Sequence, residues 1–126
     1  MSDSAGPRLL VVEDDQLLRV ILSRALRRAG FECEAAEDGQ VGLDRLRTSS
    51  YDLIVTDMRM PRMSGLQMIQ AAREEFHDLP PVVVLSGFHD HSDEALVDAG
   101  IGKFLAKPVT TQELVGAVWE LLGDPR

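Results

Sequence analysis

Cysteine is almost missing from this chain: Cys33 stands alone, so no internal disulfide can form and a reducing compartment suits it. Long apolar runs are missing too. The longest, such as Val82–Leu85, fall far short of a bilayer span. The opening Met1-Ser2-Asp3-Ser4 lacks the basic-then-apolar layout of a secretion signal. Basic charge is scarce: 13 Lys and Arg face 21 Asp and Glu, for a formal net charge of −8. Such a surface repels phosphate backbones and acidic lipid, so neither nucleic acid nor membrane is expected as a direct partner. Internal repeats, low-complexity stretches and internal linkers are absent as well. What is present is one domain's worth of chain, 126 residues with 44% hydrophobic and 27% charged, which excludes a disordered or fibrous protein. A cytoplasmic location is expected.

Residues 1–7 are small and polar and end in Pro7, and they read as a loose leader. From Arg8 onward, short apolar runs alternate with helical periodicity. Leu9–Val12 has strand character and is stopped by Glu13-Asp14-Asp15. Leu18, Ile21, Leu22, Ala25, Leu26 and Ala29 then recur at helical spacing up to Gly30, with Arg19, Arg24, Arg27 and Arg28 on the solvated face. A strand is expected over Glu32–Ala36 and a helix over roughly 39–48 capped by Asp38. Leu53–Val55 forms a strand ending at Thr56-Asp57, and Ser64 caps a helix from Gly65 to about Phe76. Val82–Leu85 is the most β-prone run, followed by a helix near 92–99 and a strand over Lys103–Ala106. The last helix opens with the capping box Thr110-Thr111-Gln112-Glu113 and runs to Leu122. Residues 123–126 read as a tail or the start of a linker. Apolar strands alternating with helices predict an α/β fold with a parallel sheet covered on both faces.

The residues that end the strands carry the chemistry. Strand 1 ends at Glu13-Asp14-Asp15, strand 3 at Asp57, strand 4 at Ser86-Gly87 and strand 5 at Lys107-Pro108. In a doubly wound sheet these ends share the edge where ligands bind. Acids gathered there resist full ionisation unless a cation intervenes. Oxygen ligands without His or Cys suit a hard divalent ion, most simply Mg²⁺, with Mn²⁺ as the alternative. The Lys107 charge and the Ser86 hydroxyl suit a group that arrives negative. A phosphoryl group received by a carboxylate nucleophile is favoured over a neutral substrate.

In order along the chain, Leu9–Asp15, Asp57-Met58-Arg59-Met60-Pro61 with Ser64-Gly65, Ser86-Gly87, and Phe104-Leu105-Ala106-Lys107-Pro108 resemble the receiver domain of bacterial two-component response regulators. The resemblance covers about residues 8–122. It implies a flavodoxin-like doubly wound (βα)5 domain with strand order 2-1-3-4-5. It further implies that Asp57 accepts the phosphoryl group, and that Glu13, Asp14, Asp57 and the backbone carbonyl of Arg59 hold Mg²⁺. Ser86 and Lys107 would bind the phosphoryl oxygens, the latter across a cis peptide before Pro108. Ser86 and Phe104 would form the switch, and Arg59 and Phe88 would govern how water reaches the acyl phosphate. Implied partners are a sensor histidine kinase or histidine phosphotransfer protein. Downstream, a separate protein, an output domain of the same chain or a homodimer partner would read the surface of the helix near 92–99, strand 5 and the last helix. A module that assists its own modification without turning over a separate substrate is not a turnover enzyme.

Three departures from the family pattern stand out: Glu13 where Asp is also common, Ser86 for the frequent Thr, and Val109 where Phe is usual. None removes a group the chemistry needs. An aspartyl-phosphate phosphatase would need a second Asp two residues after the nucleophile, where Arg59 stands. A flavin module would need a Ser/Thr/Gly-rich loop after strand 1, which is missing. A receiver-shaped interaction module that is not phosphorylated is the remaining alternative. His89 and His91 lack a third soft ligand and read as loop residues. Met58, Met60 and Met63 read as packing around the site. On the last helix, Leu114, Val118 and Leu121 form one apolar stripe, and Val115, Trp119 and Leu122 a second, expected to stay partly exposed as a partner or dimer surface.

Overall fold

A computed structural model describes residues 6–87 and 102–123. The strands are β1 (Arg8–Val12), β2 (Glu32–Ala36), β3 (Leu53–Asp57), β4 (Val82–Ser86) and β5 (Lys103–Ala106). The described helices, numbered here in chain order, are α1 (Gln16–Arg28), α2 (Gly39–Thr48), α3 (Gly65–Glu75) and α4 (Thr111–Leu122). All strand pairs are parallel and their order is β2-β1-β3-β4-β5, the flavodoxin-like order expected. The helix expected near 92–99, together with Phe88, His89 and His91, lies outside the described residues.

Which strands lie inside the sheet follows from where apolar side chains must go. The inner strands β1, β3 and β4 are buried almost throughout, whereas edge strand β5 alternates between half-buried and exposed. Period-two alternation sends Leu10, Val12, Ile54, Val82 and Val84 to one face, with Met68 and Ile69 of α3. Leu9, Val11, Leu53, Val55, Val83 and Leu85 go to the other, with Leu22 and Leu26 of α1 and Leu114 and Val118 of α4. Each face is thus sealed by helices, as a parallel sheet requires.

The helices start where short polar side chains can satisfy free N–H groups. Asp15, Asp38, Ser64 and Thr110 accept from Leu18, Val41, Gln67 and Glu113 respectively. Gly30 follows α1 with a φ of 104°, a left-handed conformation suited to glycine. Pro7 lends its carbonyl to the Glu32 N–H at 2.9 Å, which extends the β1–β2 ladder back into the leader.

One reading of a helix face needs correction. Ile21, counted with the core side of the first helix, is 44% exposed, beside Leu17 and Val20, which are also exposed. Periodicity marks a wide apolar stripe on α1, but the sheet covers only its middle. On α4 the Trp119 ring packs at 4.7 Å from the Phe31 ring, tilted by 46°. The second stripe thus leans on the core through Trp119 and stays partly exposed, as expected, with Val115, Trp119 and Leu122 all half-buried.

Candidate metal and phosphoryl site

Parallel register brings the strand ends to one edge: Val12 lies opposite Thr56, Asp57 opposite Leu85, and Ser86 opposite Ala106. Past β1, the Glu13 N–H donates to the Ala36 carbonyl at 3.0 Å, which keeps Glu13 in line with the end of β2. Glu13, Asp14 and Asp57 each present a carboxylate oxygen, all within 4.8 Å of one another. Glu13 and Asp57 are buried, while Asp14 is exposed and opens the cluster to solvent. Asp15, third of the acidic run, is not part of it. Its side chain caps α1 and its N–H donates to Glu13 Oε2 at 3.1 Å. Adjacent residues of the acidic run thus differ: Asp15 caps a helix, while Glu13 and Asp14 join the cluster.

Lys107 reaches into the cluster from the far side. Its Nζ lies 2.9 Å from Asp57 Oδ1 and 3.7 Å from Glu13 Oε1. The Lys107 N–H donates to the Ser86 carbonyl at 2.9 Å, and the Lys107–Pro108 peptide is cis, as the resemblance implied. Asp57 Oδ1 also accepts the Met58 N–H at 2.9 Å. The backbone around Asp57 is tightly folded. A Cβ on Gly65 would lie 2.2 Å from the Asp57 carbonyl oxygen, so only glycine lets α3 start this close behind the acid. The Gly65 N–H closes the loop onto the Met58 carbonyl at 2.9 Å.

Burial dominates the electrostatics. Removal from water pushes the Glu13 carboxyl up to about 7, and the Asp57 charge adds to this, while the Asp15 N–H and the Lys107 charge pull against it. Asp57 is also raised, again first by burial, although Lys107 and the Met58 N–H favour its charged form. Burial by itself would lower the Lys107 ammonium; the bond to Asp57 and the charges of Asp57, Glu13 and Asp14 outweigh it and leave Lys107 raised.

The donor set fits a hard divalent cation. All the side-chain donors are oxygens, three acids face one ammonium, and Glu13 Oε1 is fully buried without a hydrogen bond. A buried carboxylate oxygen in that condition is costly unless something positive completes it.

The remaining expected residues that the structure describes are placed as follows. Arg59 lines a cleft of about 590 Å³ together with Asp14, Met58, Ser64 and Gln67. The buried Ser86 hydroxyl donates to the Gly87 carbonyl at 3.0 Å. Phe104 is 43% exposed on β5. Met58 is buried, and Met60 and Met63 pack partly buried on the same core. Val109 packs against the opposite core below α4. A larger depression, about 1000 Å³, lies between α1 and α4, lined by Ile21, Arg24, Arg28, Val115 and Trp119. It holds none of the clustered acids, so the larger hollow and the chemistry are in different places.

Sequence reasoning missed Arg62, whose guanidinium pairs with the buried Asp38 carboxylate beside the site. Neither spacing nor motif signals a pair 24 residues apart; only the loop packing brings it together.

The sequence profile of the response regulator receiver domain matches residues 9–119. Response regulator MprA of Mycolicibacterium vanbaalenii is 36% identical over 115 residues, 91% of this chain and 50% of that protein. The chain thus spans about half the length of the curated relatives it matches. Among solved structures, the receiver domain of Francisella response regulator 1452 superposes with a TM-score of 0.84 at 27% identity, covering 96% of this chain and 100% of that one. Response regulator TrrA of Thermotoga maritima, solved in complex with Mg²⁺-BeF, gives a TM-score of 0.83 at 30% identity, covering 93% of this chain and 100% of that one.

Proposed function

The chain belongs to the response regulator receiver family, and from that premise we propose that it is a phosphorylation-controlled switch whose acceptor is Asp57. The observation that carries this reading is the convergence of Glu13, Asp14, Asp57 and Lys107 at the C-terminal edge of the sheet. Glu13, Asp14, Asp57 and the Arg59 backbone carbonyl would hold Mg²⁺, or Mn²⁺ in its place. When bound, the cation neutralises charge on the phosphoryl oxygens.

The donor is a phosphohistidine on a sensor kinase or a phosphotransfer protein. Asp57 Oδ2 attacks phosphorus, the P–N bond breaks, and the electron pair leaves with the donor imidazole. Oδ1 meanwhile stays oriented by the Met58 N–H and Lys107. Lys107 balances negative charge on the transferred group, and the Ser86 hydroxyl turns from the Gly87 carbonyl to a phosphoryl oxygen. Hydrolysis later returns the carboxylate, with Arg59 and Phe88 setting water access. The donor docks beside the site on the exposed Leu17, Val20 and Ile21 of α1, flanked by its arginines.

Movement of Ser86 biases the surface made by the segment near 92–99, β5 and α4. Phe104, exposed in this structure, turns inward there and is held by packing alone, since it has no hydroxyl to bond. A downstream protein, an output domain of the same chain or a second copy would read that surface. A cytoplasmic setting belongs to the same reading. Among the described residues no helix is long and apolar enough to cross a membrane.

Incubation with Mg²⁺ and acetyl phosphate tests the assignment. One acid-stable, base-labile phosphoryl group per chain is expected on Asp57, formed slowly and without multiple turnover. Absence of any adduct, with intact binding to a partner, would favour the unphosphorylated interaction module. Continuous release of phosphate at many turnovers would favour a phosphatase.

A further inference from the structure

The loop that follows Asp57 is held from a side the phosphoryl chemistry does not use. Arg62 has a φ of 68°, a conformation that residues with a Cβ occupy sparingly, and among the described residues no other non-glycine has a positive φ. Such a conformation persists where the surroundings over-determine it. Here the Arg62 guanidinium pairs with Asp38 Oδ2, and the Asp38 side chain is only 2% exposed. Asp38 Oδ1 accepts the Val41 N–H at 2.9 Å and caps α2. One buried carboxylate therefore ties a helix start to the acceptor loop.

The backbones of the two loops meet as well. A Cβ on Gly39 would lie 2.6 Å from the Met63 carbonyl oxygen, an approach that only glycine permits. The β2 end that leads into Asp38 is in turn joined to Glu13 through the Ala36 carbonyl. The Arg62–Asp38 pair, the short backbone stretch from Asp38 back to Ala36, and the Ala36–Glu13 hydrogen bond thus link the loop carrying Arg59 to the buried acid of the cluster.

We propose that Arg62 is a positioning residue for the divalent cation: its pair with Asp38 clamps loop 58–64 to the turn between β2 and α2 and so sets the Arg59 backbone carbonyl against the three acids. The inference rests on the metal-dependent reading of the site given above. A backbone ligand has no rotamer of its own to adjust, so its place is set by whatever anchors the loop. An ion pair with a buried member suits that task, because separating it strands a charge away from water.

Titration of the isotope-labelled full chain with Mg²⁺ alone, followed by the amide shifts of Met58, Arg59 and Met60, tests the clamp. Arg62→Ala and Arg62→Gly are both expected to weaken Mg²⁺ binding roughly tenfold, the low end of what outer partners of metal ligands give. Arg62→Gly also releases the left-handed backbone, so equal losses in the two variants assign the effect to the side chain. Arg62→Lys should restore part of the affinity. Asp38→Asn, which keeps the helix cap, should reproduce the loss, and combining it with Arg62→Ala should add little. With acetyl phosphate, the Mg²⁺ concentration needed should rise more than the maximal labelling rate falls. Circular dichroism at the titration temperature identifies variants that remain folded. Unchanged Mg²⁺ affinity in folded Arg62→Ala, or fully additive losses in the double variant, would overturn the positioning role alone. A wild-type chain that binds no Mg²⁺ would instead overturn the reading of the site beneath it.

Discussion

The two ends of the sheet use the same residue types to opposite purposes. At the end where strands begin, Arg8 pairs with Glu34, Glu34 Oε1 accepts the Tyr51 hydroxyl at 2.6 Å, and the Arg8 guanidinium lies over the Tyr51 ring at 5.4 Å. Glu34 is lowered, first by the Tyr51 hydrogen bond and then by Arg8 and Arg45, against the opposing effect of burial. On the nearby helices, Arg47 joins Glu75 through two hydrogen bonds, and Glu75 is lowered by them. At the end where strands stop, Glu13 and Asp57 are raised, three acids share one lysine, and one carboxylate oxygen has no hydrogen bond. Charge is matched at the end where the strands begin and left unmatched at the acidic cluster, where the proposed function would bring a cation and a phosphoryl group. The buried acids Glu13 and Asp57 are thus raised, while Glu34 and Glu75, each bonded to a cation, are lowered.

The sharpest contrast comes from removing the acceptor. Asp57→Asn should abolish acetyl-phosphate labelling altogether, as read by intact mass, whereas Glu34→Gln should leave labelling intact. Next in size is Lys107→Met, which leaves the acids without their ammonium. A loss of about 1–3 kcal/mol in denaturant unfolding is expected for this partly exposed pair, larger at pH 8 than at pH 5.5. A Lys107→Met variant as stable as the parent at pH 8 would break the contrast between the two ends.

A pH series on the metal-free chain sharpens it. Glu13 keeps its proton to about 7 in the folded form against an ordinary 4.5, so the folded form binds more protons across that window. Stability should be highest below pH 4.5 as far as this group is concerned, and fall as pH rises through 7, by up to about 3 kcal/mol. Glu13→Gln should flatten the fall. Mg²⁺ should raise Tm more at pH 8 than at pH 5.5, because the cation binds the deprotonated carboxyl. The smallest effect belongs to the other end: Arg47→Ala should leave the unfolding midpoint almost unmoved, and less moved still in high salt, since this pair is exposed.

Much of this was legible in the chain itself, and the illegible part has a common cause. The strand runs, the caps Asp38, Ser64 and Thr110, and the polar residues ending each strand are local features, read from spacing of a few residues. Asp15 shows the limit: in sequence it is one more acid at the end of strand 1, and only the geometry of the helix start makes it a cap. Ile21 shows it again, since a periodic stripe says which side of a helix is apolar and not how far the neighbouring element covers it. Arg62 with Asp38 and Arg47 with Glu75 join positions 24 and 28 residues apart, pairs that exist only once the loops and helices are stacked.

The chain by itself determined the alternation of strand and helix, the helix starts and the chemical groups at each strand end, because these depend on side chains within one or two turns of each other. Tertiary structure alone decided which carboxylates share a site, which one is left to cap a helix, and which charges are matched. Burial and the distance between groups far apart in sequence control those outcomes, and neither exists until the sheet is assembled in the order β2-β1-β3-β4-β5.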